Sequence, residues 1–186
     1  MVAQAAARSS SPALEVQNVK HMLFFGLVAA LGGCASAPPA PKPAPGGPIS
    51  FTLPIWPAGS AQHSFADDRG HIVVLDAWAS WCQPCQTELP KLDALAKQWA
   101  AQGVRVYAVN IDTASGVVQP FLMTFHIDLP ILLDPGGGVL TQTLGLQNMP
   151  TTWVFDQSGN LVFTEQGTAA LIAEKVNLML STPAKP

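Results

Sequence analysis

The chain has 186 residues, 48% of them hydrophobic and 11% charged, with a formal charge of −3. That is room for one folded domain with a substantial core plus an extension, and the absence of any basic cluster excludes an electrostatic footprint for nucleic acid. Three cysteines exclude a small scaffold stapled by many disulfides.

The first segment with a pattern is Lys20-His21 followed by the apolar run Met22 to Leu31. The run is too short to span a bilayer comfortably and has the length of a signal-peptide core. It ends in Leu31-Gly-Gly-Cys34, with small residues before the cysteine and a polar, proline-rich spacer after it. This resembles a bacterial lipobox, in which cleavage precedes the cysteine and the thiol carries a diacylglycerol. An ordinary secretory signal, or a buried apolar segment with a free cysteine, is the alternative. Residues 1–18 lie upstream of a complete-looking signal, so translation is expected to begin near Val19, which keeps Lys20 in the leader. The expected organisation is a signal peptide over 1–33, a lipidated Cys34 and linker over 34–48, a folded domain over 49–181, and a tail over 182–186. Alternating prolines between Ala35 and Gly47 favour an extended, semi-rigid spacer.

The folded domain reads as α/β. A short strand is expected over Ile49 to Leu53, a loop with Pro54, Pro57 and Gly59, a second strand over His63 to Phe65, and a turn at Asp67 to Gly70. His71 to Trp78 is too continuously apolar to be half-exposed, which marks a central strand. Cys82 to Ala101 reads as a helix with Leu89, Leu92, Leu95, Ala96 and Trp99 on one face, kinked at Pro90. Gly103 ends it, and Val104 to Ile111 is the next buried strand, so a parallel crossover is implied. A helix over Ser115 to Phe125, a strand over Leu129 to Leu133 and a short helix over Gly138 to Leu144 follow. Met149 to Asp156 and Leu161 to Thr164, joined by a four-residue turn, form an antiparallel hairpin. Thr168 to Leu180 closes the domain as a helix.

The chemistry concentrates at Trp81-Cys-Gln-Pro-Cys85. Placed where a buried strand hands over to a helix, Cys82 meets unpaired N–H groups and a partial positive charge, both of which stabilise a thiolate. Zinc would need two further ligands, yet the third cysteine is Cys34 and His21, His63, His71 and His126 are scattered. Covalent haem would need a histidine where Gln86 stands. A purely structural bridge over so short a loop would remove little unfolded-state entropy. Reversible dithiol chemistry is the leading reading, with the Cys82–Cys85 pair as its own redox centre and no other cofactor or metal expected.

Several motifs in order carry a resemblance: Trp78-Ala-Ser-Trp-Cys-Gln-Pro-Cys85, Glu88 and Pro90 behind it, Val109-Asn-Ile-Asp112, an extra strand and helix before Asn148, and Met149-Pro-Thr-Thr152 with Asp156-Gln-Ser-Gly159. The pattern resembles the TlpA/ResA-type extracytoplasmic disulfide reductases of the thioredoxin fold over roughly Ile49 to Leu180. The resemblance implies a three-layer sandwich with a mixed central sheet, an N-terminal strand extension and a strand-helix insertion before a cis-proline loop. It implies Cys82 as nucleophile and Cys85 as resolving thiol, with Pro150 cis and Met149 offering its backbone to a substrate strand. Trp81, Pro84, Pro150 and Thr151 then belong to the substrate surface. Asp76 stands where thioredoxins have a buried proton-accepting aspartate, although many TlpA-like sequences have asparagine there. The lysine that partners that aspartate in thioredoxins falls on Ala108, so burial without a cation should raise the Asp76 pKa. Glu88 matches an acidic residue that tunes the cysteines in ResA-type proteins; a solvated helix-face glutamate is the alternative. The implied partners are a disulfide-containing protein substrate, a membrane thiol as electron donor and the membrane itself through the lipid anchor, with no nucleic acid. An oxidase or isomerase, or a Cu(I) carrier using Cys82, Cys85 and Met149, remain open alternatives.

Overall fold

The computed structural model of the protein describes residues 47–57 and 61–182. The expected signal segment, Cys34, the linker up to Gly46 and all of the tail but Thr182 lie outside the described residues. No helix among the described residues is long and apolar enough to cross a membrane.

The first two strands are β1 (Thr52–Pro54) and β2 (Gln62–Ser64), which pair antiparallel with Leu53 opposite His63. Both are displaced from their expected limits: the first runs on to Pro54, and Phe65 leaves the second to open a 3-10 turn ending at Asp68. Phe65 turns into the core, fully buried against Phe51 and Tyr107, and this burial outweighs its strand propensity. The central strand β3 (Val73–Trp78) is buried at every position, as a strand covered on both faces must be. It leads to α1 (Gln83–Trp99), β4 (Arg105–Asn110), α2 (Val118–Phe125), β5 (Ile131–Leu133) and α3 (Gly138–Leu144). The chain closes with β6 (Thr151–Phe155), β7 (Leu161–Glu165) and α4 (Ala169–Ser181).

The five-stranded sheet has the order β5-β4-β3-β6-β7. Strands β3, β4 and β5 are parallel neighbours, whereas β6 runs antiparallel to both of its neighbours, β3 and β7, so the sheet is mixed as expected. Because side chains alternate across a strand, Val74 and Trp78 face a core shared with α1, α2 and α4. Val73, Leu75 and Ala77 face a second core filled by Leu53, Phe65 and Leu140 from the N-terminal hairpin, the turn after it and α3. These are the three layers. A bridge from Ile55 to Leu132 joins the hairpin to the β5 edge of the sheet, so the extension covers an edge that would otherwise invite pairing with another chain.

Helix α1 starts one residue later than expected, with Cys82 as its cap, and it runs on through Pro90. The proline leaves the Gln86 carbonyl without an intrahelical donor but does not end the helix. Its last turn tightens to 3-10 over Ala100–Gln102 before Gly103 takes the left-handed conformation that releases the chain. The segment 115–125 likewise opens as 3-10 before α2 proper. Met149 and Pro150 precede β6 rather than belonging to it, and the strand expected from Leu129 begins only at Ile131.

The parallel strands fix two poles. Strands β3 and β4 end at Trp78 and Asn110, and the register Ala77 opposite Thr151 brings the start of β6 to that same end. At the other pole, where β3 begins, the turn Asp156 to Asn160 joins β6 to β7. Ile49 is tied to that turn: its N–H donates to the Gly159 carbonyl at 2.8 Å, and Arg69 Nη2 donates to its carbonyl at 2.7 Å.

Candidate active site

Cys82 and Cys85 are joined as a disulfide at the start of α1, with Cα atoms 5.3 Å apart. Cys82 is the N-cap residue in extended conformation, and its Sγ accepts a hydrogen bond from the Cys85 N–H at 3.2 Å. A sulfur there occupies the place usually taken by a serine or aspartate oxygen and accepts one of the otherwise unpaired donors of the first turn. Gln83 and Pro84 follow as the first helical residues, a position where proline costs nothing because that N–H has no intrahelical partner. Both cysteines are buried, Cys82 keeping 4% of its residue surface and Cys85 1%. Beside it Trp81 stands out from the surface at 67% exposure.

The Met149–Pro150 peptide is cis, and Pro150 lies at the same pole, one residue before the Thr151 that pairs with Ala77. Thr151 does not point its hydroxyl outward: it donates to the Asn148 carbonyl at 2.7 Å, tying the loop that carries Met149. Met149 is half-buried and packs against both cores.

Asp76 is 5% exposed. The alternation of β3 turns its side chain to the face carrying Val74, Trp78 and α1, and the parallel register sets it opposite Ala108, which supplies no cation. Burial pushes its pKa up to about 7, against a hydrogen bond donated by Thr152 Oγ1 at 2.6 Å and with a small further push from the Glu88 charge. A small cavity of about 10 Å³ lies beside it, lined by Asp76, Glu88, Pro150, Thr152 and the Gly167 to Ala169 turn. That is about the space of one water molecule, and Leu92 and Ile172 complete its lining.

Glu88 is committed elsewhere. Its Oε2 accepts the Ala169 N–H at 2.9 Å at the start of α4, and its Oε1 accepts from Lys91 at 2.8 Å. Thr168, the N-cap residue of α4, makes no cap with its own side chain, so Glu88 supplies one from another helix. Desolvation raises its pKa, but the bond from Lys91, the Ala169 N–H and the Lys91 charge outweigh it and hold the group below the usual glutamate value. Glu88 therefore borders the Asp76 cavity as a fixed anion rather than as a solvated side chain.

Thr152 escaped the sequence reading because only the register of β3 against β6 reveals that it faces Asp76. Ser80, Asn110 and Asp112 were missed as well. Asp112 is buried and binds the loop that leads to Cys82, and the Asn110-x-Asp112 spacing at the end of a buried strand was the available signal. Among the described residues no cluster of three or more histidine, cysteine or acidic side chains could hold a metal. A cleft of about 590 Å³ between Trp56, α2 and β5 is lined by none of Asp76, Cys82, Cys85, Glu88, Met149 or Pro150.

A sequence profile of the AhpC/TSA family matches residues 44–164. The thiol-disulfide oxidoreductase ResA of Geobacillus thermodenitrificans is 34% identical over 107 residues, covering 58% of this chain and 61% of that protein. ResA of Halalkalibacterium halodurans is 30% identical over 133 residues, covering 70% and 74% respectively. The chain spans between 55 and 61% of the length of the first curated relatives it matches. Among solved structures, one assigned as a thiol:disulfide interchange protein of DsbE type from Chlorobium tepidum superposes with a TM-score of 0.63 at 27% identity, covering 74% of this chain and 96% of that one. StoA from Bacillus subtilis superposes with a TM-score of 0.58 at 25% identity, covering 69% and 97%.

Proposed function

Because the chain belongs to the AhpC/TSA family, we propose that it is a thiol:disulfide oxidoreductase that reduces protein disulfides through Cys82 and Cys85. The observation that carries the proposal is a dithiol pair capping α1 at the pole of the cis Met149–Pro150 bond, with the buried Asp76 carboxyl on the same face as α1. Relatives named thiol-disulfide oxidoreductase support the same reaction class.

In the reduced protein the Cys82 thiolate attacks one sulfur of a substrate disulfide, releasing the other as a thiolate. Cys85 then gives its proton to Asp76 and attacks Cys82 Sγ. The substrate leaves as a dithiol, and the enzyme is left with the Cys82–Cys85 bond seen in the structure. Two electrons pass from enzyme to substrate, and a thiol donor must return them. A carboxyl whose pKa is pushed up to about 7 is suited to this exchange, since it takes and returns a proton near neutral pH. Lowering a thiol pKa from about 8.5 to about 7 raises its thiolate fraction at neutral pH roughly fifteenfold, while nucleophilicity falls about four- to sixfold. The net gain in attack is small; the larger one is that Cys82 becomes a good leaving group.

The substrate meets Trp81, Pro84, Met149 and Pro150, while the buried Thr151, expected on that surface, fixes the loop behind them through the Asn148 carbonyl. The Met149 backbone before the cis-proline is free of β6 and available to an extended peptide. Glu88 holds the N-terminus of α4 against the Asp76 cavity and influences the pair through that wall. The Lys20 to Cys34 leader supports an extracytoplasmic protein lipid-anchored through Cys34, and the resemblance to TlpA/ResA-type reductases supports a membrane thiol as electron donor and a role in cytochrome c maturation.

Insulin reduction by dithiothreitol tests the reaction: the protein accelerates it and Cys82→Ser abolishes the acceleration. Activity retained in Cys82→Ser refutes the assignment. Cys85→Ser traps substrates as mixed disulfides in the cell envelope and thereby names them. Incorporation of labelled palmitate, lost in Cys34→Ala, tests the anchor.

A further inference from the structure

The chain between the end of β3 and the start of α1 is a single turn, Ala79-Ser80-Trp81-Cys82, closed by the Cys82 N–H donating to the Ala79 carbonyl at 3.1 Å. It carries the exposed Trp81 outward and delivers Cys82 to the cap of α1. One buried side chain grips this turn from the neighbouring strand. Asp112 Oδ2 accepts the Ser80 backbone N–H at 2.8 Å, and Oδ1 accepts the Ser80 hydroxyl at 3.0 Å. The carboxylate is itself held: Asn110 Nδ2 donates to Oδ2 at 2.8 Å, and the Asp112 N–H donates to Asn110 Oδ1 at 3.2 Å. Asn110 is fully buried and its backbone is locked between β3 and β5, its carbonyl accepting from the Asp134 N–H at 2.9 Å. The Ile111 N–H donates to the Trp78 carbonyl at 3.0 Å, so the two strand ends are laced together immediately below the turn.

We propose that Asp112 is a positioning residue for the dithiol: through Ser80 it holds Cys82 at the cap of α1 when the disulfide is open. In the oxidised form the sulfur–sulfur bond already ties Cys82 to the first turn of the helix, and the Asp112 grip is redundant for that purpose. On reduction that covalent tie is lost. Ser80 and the closing bond of the turn are then what keep the Cys82 sulfur over the donors of the helix start, where the thiolate is stabilised. Loss of the grip therefore destabilises the dithiol form more than the disulfide form. The inference rests on the dithiol reading above.

The test is the equilibrium of the intact protein with glutathione, in which the Cys82–Cys85 disulfide and two glutathione thiols exchange for the dithiol and one glutathione disulfide. Asp112→Ala is expected to move this equilibrium toward the protein disulfide by about three- to tenfold, the equivalent of one ordinary hydrogen bond. Asp112→Asn keeps an oxygen for the Ser80 N–H and should fall between wild type and Asp112→Ala. Should Asp112→Ala fold poorly, Ser80→Ala removes the hydroxyl bond alone and is expected to shift the equilibrium the same way by about twofold. Two results overturn the proposal. An unchanged equilibrium alongside reduced resistance to urea makes Asp112 a purely structural residue. A shift toward the dithiol in both Asp112 variants makes it a negative charge that repels the thiolate. A wild-type protein that reaches no redox equilibrium with glutathione would instead sink the dithiol reading itself, so the two failures are distinguishable.

Discussion

Asp76→Asn should change the stability of this protein by an amount that depends on pH, against the variant in acid and in its favour above neutrality. The carboxyl is raised from an ordinary 3.8 to about 7 by burial, so the folded state holds its proton more tightly than the unfolded chain. Its contribution is fully present below about pH 4 and is lost as pH rises toward the folded value. The gap is roughly three pH units at about 1.4 kcal/mol each, so above pH 7 the ionised carboxylate costs about 4 kcal/mol as an upper bound. Asparagine keeps an acceptor for the Thr152 hydroxyl and carries no charge. Its amide has no evident partner, at a cost of about 1–3 kcal/mol that does not vary with pH. The quantity to measure is thus the difference in unfolding free energy between Asp76→Asn and wild type, both oxidised, by urea titration from pH 4 to 8.5. It should move in favour of the variant by at most about 1.4 kcal/mol per pH unit between pH 4 and 7 and level off above. A difference that stays flat across pH 5 to 8, or that grows toward acid, would refute the claim that Asp76 is buried without a compensating cation. The same variant should slow insulin reduction by removing the proton acceptor for Cys85.

Other consequences are open to direct measurement. Glu88→Ala removes the cap of α4, and a loss of about 1 kcal/mol is expected in urea titrations, with Glu88→Gln recovering part of it. Asp68, buried beneath the N-terminal hairpin, accepts from Arg105 and from Tyr107 Oη at 3.0 Å and pairs with His63 Nε2 at 2.8 Å. Asp68→Ala strands these partners and should cost about 2 kcal/mol or more, while insulin reduction at a temperature where the variant is folded stays unchanged. Gly159→Ala places a methyl group against the Arg69 guanidinium at a residue with φ of +81°, so it should destabilise the fold by more than 1 kcal/mol, about the scale of a strained left-handed residue.

Much of this molecule could be read from its residues. The apolar run into Trp78, the helical spacing behind Cys85 and the short turn at Gln157 to Asn160 each carry a local signal, and each formed the expected element. The upward push on Asp76 was legible too, because a carboxylate in a fully buried strand opposite an alanine has only one direction to go. What could not be read is pairing across the fold. Thr151 and Thr152 are indistinguishable in sequence, and only the antiparallel register gives Asp76 to the second, while the first turns back to the Asn148 carbonyl three residues before it. Glu88 has the spacing of an exposed helix residue, yet the end of α4 arrives beside it. Phe65 looked like strand and became the plug of a core, because its burial partners come from β4 and from Phe51.

The fastening of Ile49 to the β6–β7 turn also decides how the molecule can be handled from outside. Anything that pulls on the upstream chain pulls at the pole where β3 begins, a full strand length from the sulfurs. Load applied through Ile49 is therefore taken up at the end of the fold opposite Cys82, and the strand ends at Trp78 and Asn110 lie outside its path.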